Sequence, residues 1–351
     1  MERRIGPNVA DEALLIMSNL ASRTPARAQR ADGRTLAVAK ATIVCGTDFS
    51  QQAIHAVETA AALARRLDEP LVLVHAVDSG SRELLPAEIR ESLCIYERTQ
   101  LHQELERLRA AKMEVVEAFC VGKPEKVLVE TATREDARLL VISSHGRKGP
   151  ARWVLGSVAE RVVESSPVPT LVVRDSIPFS RWIRGRKHLR VFVGADFCEQ
   201  SEAALRWVAW LRQIGPCHVV VAHLEADRSG SASFGPAHSF IEMEMLARTN
   251  ATHVRAMRRS IHQILGAKRV RVRIEKGWGR SDAHLIQVAR EERADLIVIG
   301  THQRNGLARL GHLSVSRGVL HYAPMSVACV PFAALREKVS HRNPIYRNRA
   351  E

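Results

Sequence analysis

The chain has few aromatic residues, no paired cysteines and no long apolar runs, and each of these absences excludes a class of protein. Aromatics are 5% of 351 residues, so aliphatic side chains must fill the core, as in layered α/β folds. The six cysteines form no C-x-x-C pair, which argues against a disulfide framework or metal site and favours buried free thiols. No apolar run is long enough to cross a bilayer. Polar and proline residues follow Met1 too closely for a signal peptide, so we expect a cytoplasmic protein.

The charge is strongly unbalanced, with 52 Lys and Arg against 38 Asp and Glu. A net charge of +14 favours phosphate-bearing partners, although arginine on helix surfaces explains it equally well. Basic residues concentrate at 23–40 and 181–190 without interleaved aromatics. The composition therefore does not favour specific nucleic-acid binding, and weak association through these segments stays an alternative.

The chain does contain an internal repeat of domain length, with an offset of about 150 residues. Segment 43–50 (IVCGTDFS) is echoed by 191–198 (VFVGADFC). Further pairs follow in the same order, namely 139–145 with 296–302 and 167–173 with 324–330. Two copies of one fold are therefore expected.

Each copy alternates short apolar strands with amphipathic helices, and runs such as 71–77 are typical of strands buried in a parallel sheet. In the first copy we predict strands at 41–46, 71–77, 113–120, 138–143 and 168–173, and helices at 51–67, 88–110, 124–134 and 157–165. In the second we predict strands at 189–194, 217–224, 269–275, 294–300 and 325–331, and helices at 199–212, 239–265, 281–292 and 314–322. The fold class is therefore α/β, Rossmann-like, with two tandem doubly wound domains of five parallel strands.

Three basic segments flank these two domains. We place a flexible arm at 1–40, a linker at 175–188 and a tail at 333–351, which leaves domains at 41–174 and 189–332. His75 and His223 recur at one position of the second strand, which is more typical of a hydrogen-bonded core histidine than of a catalyst.

The candidate site lies where two strands of the first copy end. Ligands of open α/β sheets bind beyond the carboxyl ends of the strands, at the point where the strand order reverses. Asp48 follows the first strand, and the loop after the fourth strand runs to Gly156 and Ser157. Small residues and a helix N-terminus suit phosphate, and Arg147 and Lys148 can neutralise its charge. The alternative is that the glycines serve loop geometry and Ser157 only caps the helix.

The spacing resembles a known signature. Gly146, nine residues and then Gly156-Ser157 look like the nucleotide-binding motif G-x-x-G-x9-G-[ST] of the universal stress protein family. The family's strand-one phrase appears as Thr47-Asp48-Phe49-Ser50. The resemblance covers 41–173 and 189–331 and implies an adenine nucleotide alpha hydrolase-like fold that binds ATP, with or without Mg²⁺. It also implies that the last strands of the two domains pair as a pseudo-dimer, and a homodimer remains an alternative.

The resemblance transfers ATP contacts to the first copy residue by residue. It places the ribose and adenine contacts at the first two strands and the phosphate contacts at the helix start. The implied residues are Thr47, Asp48, Ala76, Ile142, Ser143, His145, Gly146, Gly156, Ser157 and Val158. Ser143 replaces the first glycine of the motif, and we expect this change to weaken binding rather than abolish it, unless that position needs a positive φ.

The second copy departs further from the motif. Asp196, Gly300 and Ser314 are kept, but Gln303 and Leu313 replace the later glycines. We expect this half to bind nucleotide poorly and to serve assembly or signalling, with His302 and Arg304 as surface polar groups.

The expected function is therefore regulatory ATP binding in a stress response. The chain lacks the P-loop, G-x-S-x-G and H-E-x-x-H motifs. Slow ATP hydrolysis or autophosphorylation by His145, Ser157 or Asp48 has no further support in the sequence. The alternative function is an interaction or assembly protein that binds no nucleotide.

Overall fold

The computed structural model describes residues 41–78, 80–146, 155–196, 198–225, 240–277, 279–301 and 315–332. The arm 1–40 and the tail 333–351 lie outside these ranges, as do the loop residues Arg147 and Lys148.

Ten strands and nine α-helices alternate along the described chain, and every predicted element is present with its ends shifted by no more than two residues. The strands are β1 (Thr42–Gly46), β2 (Leu71–Val77), β3 (Val115–Val121), β4 (Ala137–Ser143), β5 (Thr170–Val173), β6 (Leu189–Gly194), β7 (Cys217–Glu225), β8 (Val270–Lys276), β9 (Leu296–Thr301) and β10 (Ser326–Pro331). The helices are α1 (Gln51–Leu67), α2 (Ala87–Ala110), α3 (Pro124–Arg134), α4 (Ser157–Ser165), α5 (Ile177–Ile183), α6 (Glu199–Ile214), α7 (Phe240–Leu265), α8 (Ser281–Glu291) and α9 (Val315–Tyr322).

The strands form one continuous sheet in the order β3-β2-β1-β4-β5-β10-β9-β6-β7-β8. Strands are parallel within each domain, while β5 and β10 pair antiparallel, with Leu171 opposite Ala328. The two domains therefore join through their last strands, which confirms the predicted pseudo-dimer. Both domains reverse strand order between their first and fourth strands, which opens a crevice at that point.

Two hydrophobic cores cover the two faces of the sheet, and both contain residues of both domains. The strands are buried on each face because helices pack on each face, as their continuous apolar runs predict. The six cysteines are free thiols, with Cys45, Cys217 and Cys329 buried in these strands. None of the described helices combines the length and the apolar character needed to cross a membrane.

The basic linker contains a helix that the sequence analysis did not predict. In α5, Phe179 and Trp182 are each 1% exposed and belong to the core that spans both domains. Gly215 is required beside them, because a Cβ at this position would lie 2.7 Å from Nε1 of Trp182. The linker is therefore part of the packed structure, although its exposed face carries arginines.

Candidate functional site

A cavity of about 540 Å³ opens at the carboxyl ends of β1, β2 and β4, beside the start of α4. All ten predicted site residues line it: Thr47, Asp48, Ala76, Ile142, Ser143, His145, Gly146, Gly156, Ser157 and Val158. Its size is that of a small-molecule site. The fold therefore brings together residues that are more than 100 positions apart in the chain, as the strand-order rule predicts.

The loop after β1 is held by hydrogen bonds to its own backbone. The N–H of Ser50 donates to Oδ1 of Asp48 at 3.1 Å, and the N–H of Phe49 donates to Oγ1 of Thr47 at 3.1 Å. Ser50 then caps α1 by accepting from the N–H of Ala53 at 3.1 Å. These bonds fix the direction of the Asp48 side chain at the mouth of the cavity.

The position of Asp48 also explains why residue 146 is a glycine. A Cβ built on Gly146 would lie 2.3 Å from Oδ2 of Asp48, well inside contact distance. The β1 loop and the β4 loop therefore touch at this point, and only glycine lets the carboxylate occupy its position. Ser143, the departure from the motif, has no positive φ, so its serine causes no backbone strain there.

Gly156 and Ser157 form the start of α4. Gly156 is the N-cap without a side-chain cap, and its N–H donates to the carbonyl of Ser144 at 2.8 Å. The alternative that Ser157 caps the helix is wrong, because Ser157 is its first helical residue. The amides of this first turn have no acceptor within the helix, and the helix dipole places partial positive charge there. An anionic group in the cavity would meet both.

His145 lies between the two loops. Its Nδ1 is 3.0 Å from Oγ of Ser144. Burial lowers the pKa of His145 and the charge of Arg174 lowers it further, while Asp48 works in the opposite direction. The imidazole is therefore neutral at pH 7 and offers a hydrogen bond rather than a positive charge.

Arg174 is a neighbour of this site that the sequence analysis missed. Its guanidinium donates from Nη2 to the carbonyl of Leu320 at 3.1 Å, in the last turn of α9 of the second domain. Nε and Nη1 are buried and have no hydrogen-bond partner among the described residues, and burial lowers the pKa of the group. The residue follows β5, but the expected pairing of the last strands did not indicate that its side chain reaches α9 of the second domain.

The cavity has seven further lining residues that the resemblance did not supply: Gly46, Val74, Asp78, Pro124, Leu128, Leu155 and Ala159. Asp78 follows β2 at the same sheet edge as Asp48 follows β1, so the strand-end rule alone could have found it. Gly46 is explained by packing, because its Cβ would lie 2.8 Å from Cδ2 of Leu128.

The repeated histidines are both hydrogen-bonded, as predicted, but only His75 is a buried core residue, whereas His223 is half-buried. Nδ1 of His75 is 2.9 Å from the carbonyl of Thr47, and Nδ1 of His223 is 3.0 Å from the carbonyl of Ala195. Each ring therefore ties the second strand of its domain to the loop after the first strand.

The corresponding crevice of the second domain is described only in part. Gln303, Leu313, Ser314, His302 and Arg304 lie outside the described residues. Gly300, the counterpart of Ser143, is required by packing, since its Cβ would lie 2.2 Å from the carbonyl oxygen of Gln200. Asp196, the counterpart of Asp48, accepts from Oγ of Ser201 at 2.6 Å.

The chain is similar in sequence to proteins of one family over most of its length. The model of the universal stress protein family matches residues 41–174 and 188–331. A universal stress protein of Mycobacterium tuberculosis is 26% identical over 309 residues, which cover 81% of this chain and 95% of that protein. One from Methanocaldococcus jannaschii is 31% identical over 137 residues, covering 38% of this chain and 81% of that protein.

A solved structure shows the same architecture. The crystal structure of a universal stress protein from Archaeoglobus fulgidus covers 83% of this chain and 98% of its own, with a TM-score of 0.61 and 18% sequence identity. This likeness establishes the fold across both domains. The family model matches both halves of the chain, and the solved structure shares the fold of both. This chain therefore belongs to the universal stress protein family and carries two of its domains in tandem.

Proposed function

We propose that the first domain binds ATP or a related adenine nucleotide and that its occupancy regulates a stress response. The observation that carries the proposal is the cavity of about 540 Å³, which is lined by every residue that the family motif implies for nucleotide contact. Its position at the strand-order reversal is where doubly wound folds bind nucleotides.

The lining residues suit the three parts of a nucleotide. Val74, Ala76 and Ile142 form an apolar wall next to the strand ends, which fits a base. Asp48 supplies carboxylate oxygens for ribose hydroxyls, and it can do so because Gly146 lacks a Cβ. The first-turn amides of α4 suit phosphate oxygens.

A magnesium ion would need the nucleotide for most of its ligands. Within the described ranges, no three His, Cys, Asp or Glu side chains lie close enough together to hold a metal ion. Asp48 and Asp78 both line the cavity, and Mg²⁺ commonly binds through one or two carboxylates together with substrate phosphates. Mg²⁺ therefore belongs to the proposal only as a companion of ATP.

The second domain is proposed to be degenerate as a nucleotide site. Strand register makes Leu224 the counterpart of Ala76 and Ala195 the counterpart of Thr47. Leucine adds bulk at the base position, and alanine removes a hydroxyl. This domain instead contributes β10, which completes the sheet with β5.

Isothermal titration calorimetry with ATP tests the proposal directly. The intact chain should bind one equivalent, and Gly156→Leu, which copies Leu313 of the second half, should abolish that binding. A Cβ added at Gly156 would lie 3.3 Å from Cα of His145, so the larger leucine side chain must displace part of the loop. Two equivalents, or binding that the variant leaves unchanged, would overturn the proposal.

Assembly without nucleotide remains the second candidate, because the antiparallel β5–β10 pair already uses the family's pairing strand inside one chain. An intact chain that binds no adenine nucleotide would favour this alternative.

A further inference from the structure

The opposite edge of the second domain contains a second concave surface that the nucleotide proposal does not use. This groove, of about 490 Å³, lies at the amino ends of β6, β7 and β8, beside the end of α8. Its polar lining residues are Arg190, His218, Arg269, Arg271, Arg293, Glu291 and Glu292. The remaining lining residues are Val191, Phe192, Val219, Val220, Val270 and Ala294, and the one aromatic among them, Phe192, is fully buried.

The carboxylates around this groove are already engaged. Glu292 pairs with Arg271 and, at 2.6 Å, with Arg273, which also lies 3.6 Å from Glu291. Asp295 accepts from the backbone N–H of Arg190 at 2.9 Å and lies 3.4 Å from Nζ of Lys187. Within the described part of the chain, the guanidinium groups of Arg190, Arg269 and Arg293 form no such ion pair. Three cations in one concave surface therefore lack a counter-charge.

The first domain shows that the fold does not require these cations. In the first domain Ile43 pairs with Leu71 and Leu139. In the second, Val191 pairs with Val219 and Leu296 in the same way. These registers show which positions of the two domains correspond. The outer strands add a further match, of Val115 with Val270. Across these registers, the basic residues Arg190, His218, Arg269, Arg271 and Arg293 occupy the places of Thr42, Pro70, Glu114, Val116 and Asp136. At this edge the second domain therefore has five basic residues where the first domain has five neutral or acidic ones.

Backbone geometry points the same way. Arg269 has φ of 60° and Arg293 has φ of 51°, in the left-handed region where Gly, Asn and Asp are favoured. Asp136, the counterpart of Arg293, has φ of 44° and is one of the favoured residue types. Arg293 therefore has a less favourable residue type for this conformation than its counterpart Asp136. Arg269 is not exceptional in this respect, because Lys112, before β3 of the first domain, has φ of 57°.

The end of α8 offers a structural explanation that is too small. Cations stabilise a helix C-terminus through the helix dipole, but the effect is limited to the last turn. In the first domain, α3 ends at Arg134 and is followed by Glu135 and Asp136, so the equivalent place has one arginine and no comparable set.

His218 reports the local potential. Its Nε2 is 2.8 Å from Nδ1 of His188, so one ring donates to the other. Burial lowers the pKa of His218, and the charges of His188, Arg269 and Arg190 lower it further. An anion bound in the groove would reverse this electrostatic effect, which gives a local spectroscopic signal for binding.

We infer that this groove is a binding site for a small compound that carries several phosphate groups. Guanidinium groups bind phosphate oxygens in pairs of hydrogen bonds, and three of them are available without breaking an ion pair. The volume is that of a small-molecule site. No exposed Phe, Tyr or Trp lines the groove, and its one exposed ring, that of His218, is engaged with His188, so the phosphates themselves are the recognised feature.

Tripolyphosphate titrated into the full-length chain tests this inference by calorimetry and by NMR of the histidine side chains. Binding should be accompanied by a rise in the pKa of His218. Arg269→Glu with Arg293→Asp copies the first domain and should weaken binding about tenfold or more. The control Arg66→Glu with Arg90→Asp makes the same charge change at two exposed arginines on α1 and α2.

Further arms separate this groove from the nucleotide site and from other anions. Gly156→Leu should leave the pKa change of His218 on adding tripolyphosphate unchanged. Conversely, the groove variants should leave ATP binding in the first domain unchanged. Equal loss of affinity in the control variant, or no change at His218, would overturn the inference. Tight binding of a single-stranded oligonucleotide without binding of tripolyphosphate would also overturn it, in favour of nucleic acid.

Discussion

Each domain has an aspartate two residues after its first strand, and the hydrogen bonds of that aspartate differ between the domains. In the first domain Asp48 lines the cavity, with Oδ2 against Gly146. In the second, Oδ1 of Asp196 accepts from Oγ of Ser201 at 2.6 Å, and Ser201 accepts in turn from the N–H of Asp196 at 2.9 Å. The first domain has Ala53 at the position of Ser201. Ser201, in the first turn of the next helix, therefore gives Asp196 a hydrogen bond that Ala53 cannot give Asp48, and we propose that this limits what Asp196 can bind.

The electrostatics of Asp196 agree with this difference. Burial acts to raise the pKa of Asp196, but hydrogen bonds from Cys198 and Ser201 more than offset it and hold the pKa below its usual range. A carboxylate satisfied in this way gains little from a ligand hydroxyl. We propose that the two copies of the motif therefore differ in the ligands they bind, and the following variants test that proposal.

The largest effect is expected from Gly146→Ala. The new Cβ would lie 2.3 Å from Oδ2 of Asp48, so the carboxylate must leave its position. We expect ATP affinity in the first domain to fall about thirtyfold, which corresponds to about 2 kcal/mol. Calorimetry with ATP measures the loss, and thermal unfolding shows whether the fold is retained.

Gly80→Ala provides the matched control for that variant. Its Cβ would lie 3.6 Å from Oδ1 of Asp78, an ordinary contact beside the same cavity. Equal affinity of the two alanine variants would show that Asp48 is not a nucleotide contact.

A smaller effect is expected from Ala53→Ser, which transfers the restraint of the second domain to the first. The hydroxyl would be placed to donate to Asp48 as Ser201 donates to Asp196. ATP affinity should fall about fivefold, since one hydrogen bond contributes about 1 kcal/mol. Ala60→Ser on the same helix is the control, because Ala60 is equally buried and lies two turns away. An unchanged ATP affinity in Ala53→Ser would remove Ser201 from the explanation of the difference.

The sequence predicted the elements of this fold closely because each has a strong local signal. The run Leu71–Val77 is continuous and apolar, and Pro124 marks the start of α3, so both sets of bounds were correct. The helix α5 was missed because Arg181, Arg184 and Arg186 made the segment resemble a solvated linker. Its burial depends on Phe179 and Trp182, whose partners come from both domains.

The site was predictable where it depends on topology and motif, and not where it depends on packing between domains. Asp48 and Gly156 follow from strand ends and spacing. Arg174 could not be found in this way, because the expected pairing of the last strands did not indicate that its side chain reaches Leu320 on α9. The groove of the second domain escaped notice for a different reason, because its arginines lie in separate turns of one domain and meet only when β6, β7 and β8 are aligned.

Arg174→Met tests whether the junction influences the first site. The second domain has Pro331 at the equivalent position, so this charge belongs to one site alone. Removing the guanidinium should raise the pKa of His145, because its charge is one cause of the depression. Folding stability should change little, since a buried cation with two unbonded nitrogens is itself costly. NMR titration of His145 measures the shift, with exposed Arg184→Met as the control; an unchanged pKa of His145 would uncouple the junction from the site.

The smallest effect is expected at the ion pairs that connect the helix of the first site to the second domain. Glu160, in the first turn of α4, lies 2.6 Å from Nη2 of Arg317 and 3.1 Å from Nε2 of His321. Burial acts to raise the pKa of Glu160, but the hydrogen bond from His321 and the charges of both partners hold it below its usual range. Glu160→Gln should therefore lower stability by about 1 kcal/mol or less at neutral pH.

The pH dependence of that loss identifies its cause. A carboxylate whose pKa is lower in the folded state contributes stability above its unfolded pKa of about 4.3 and loses it as the pH falls through the folded value. The difference in Tm between the wild type and Glu160→Gln should thus be present at pH 7, begin to shrink near pH 4.3 and disappear as the pH falls through the lower folded pKa. Glu164→Gln changes an exposed glutamate on the same helix and should show no such difference. A Tm difference that remains at acidic pH would assign the loss of stability to packing. The ion pairs between α4 and α9 would then not contribute to holding the two domains together.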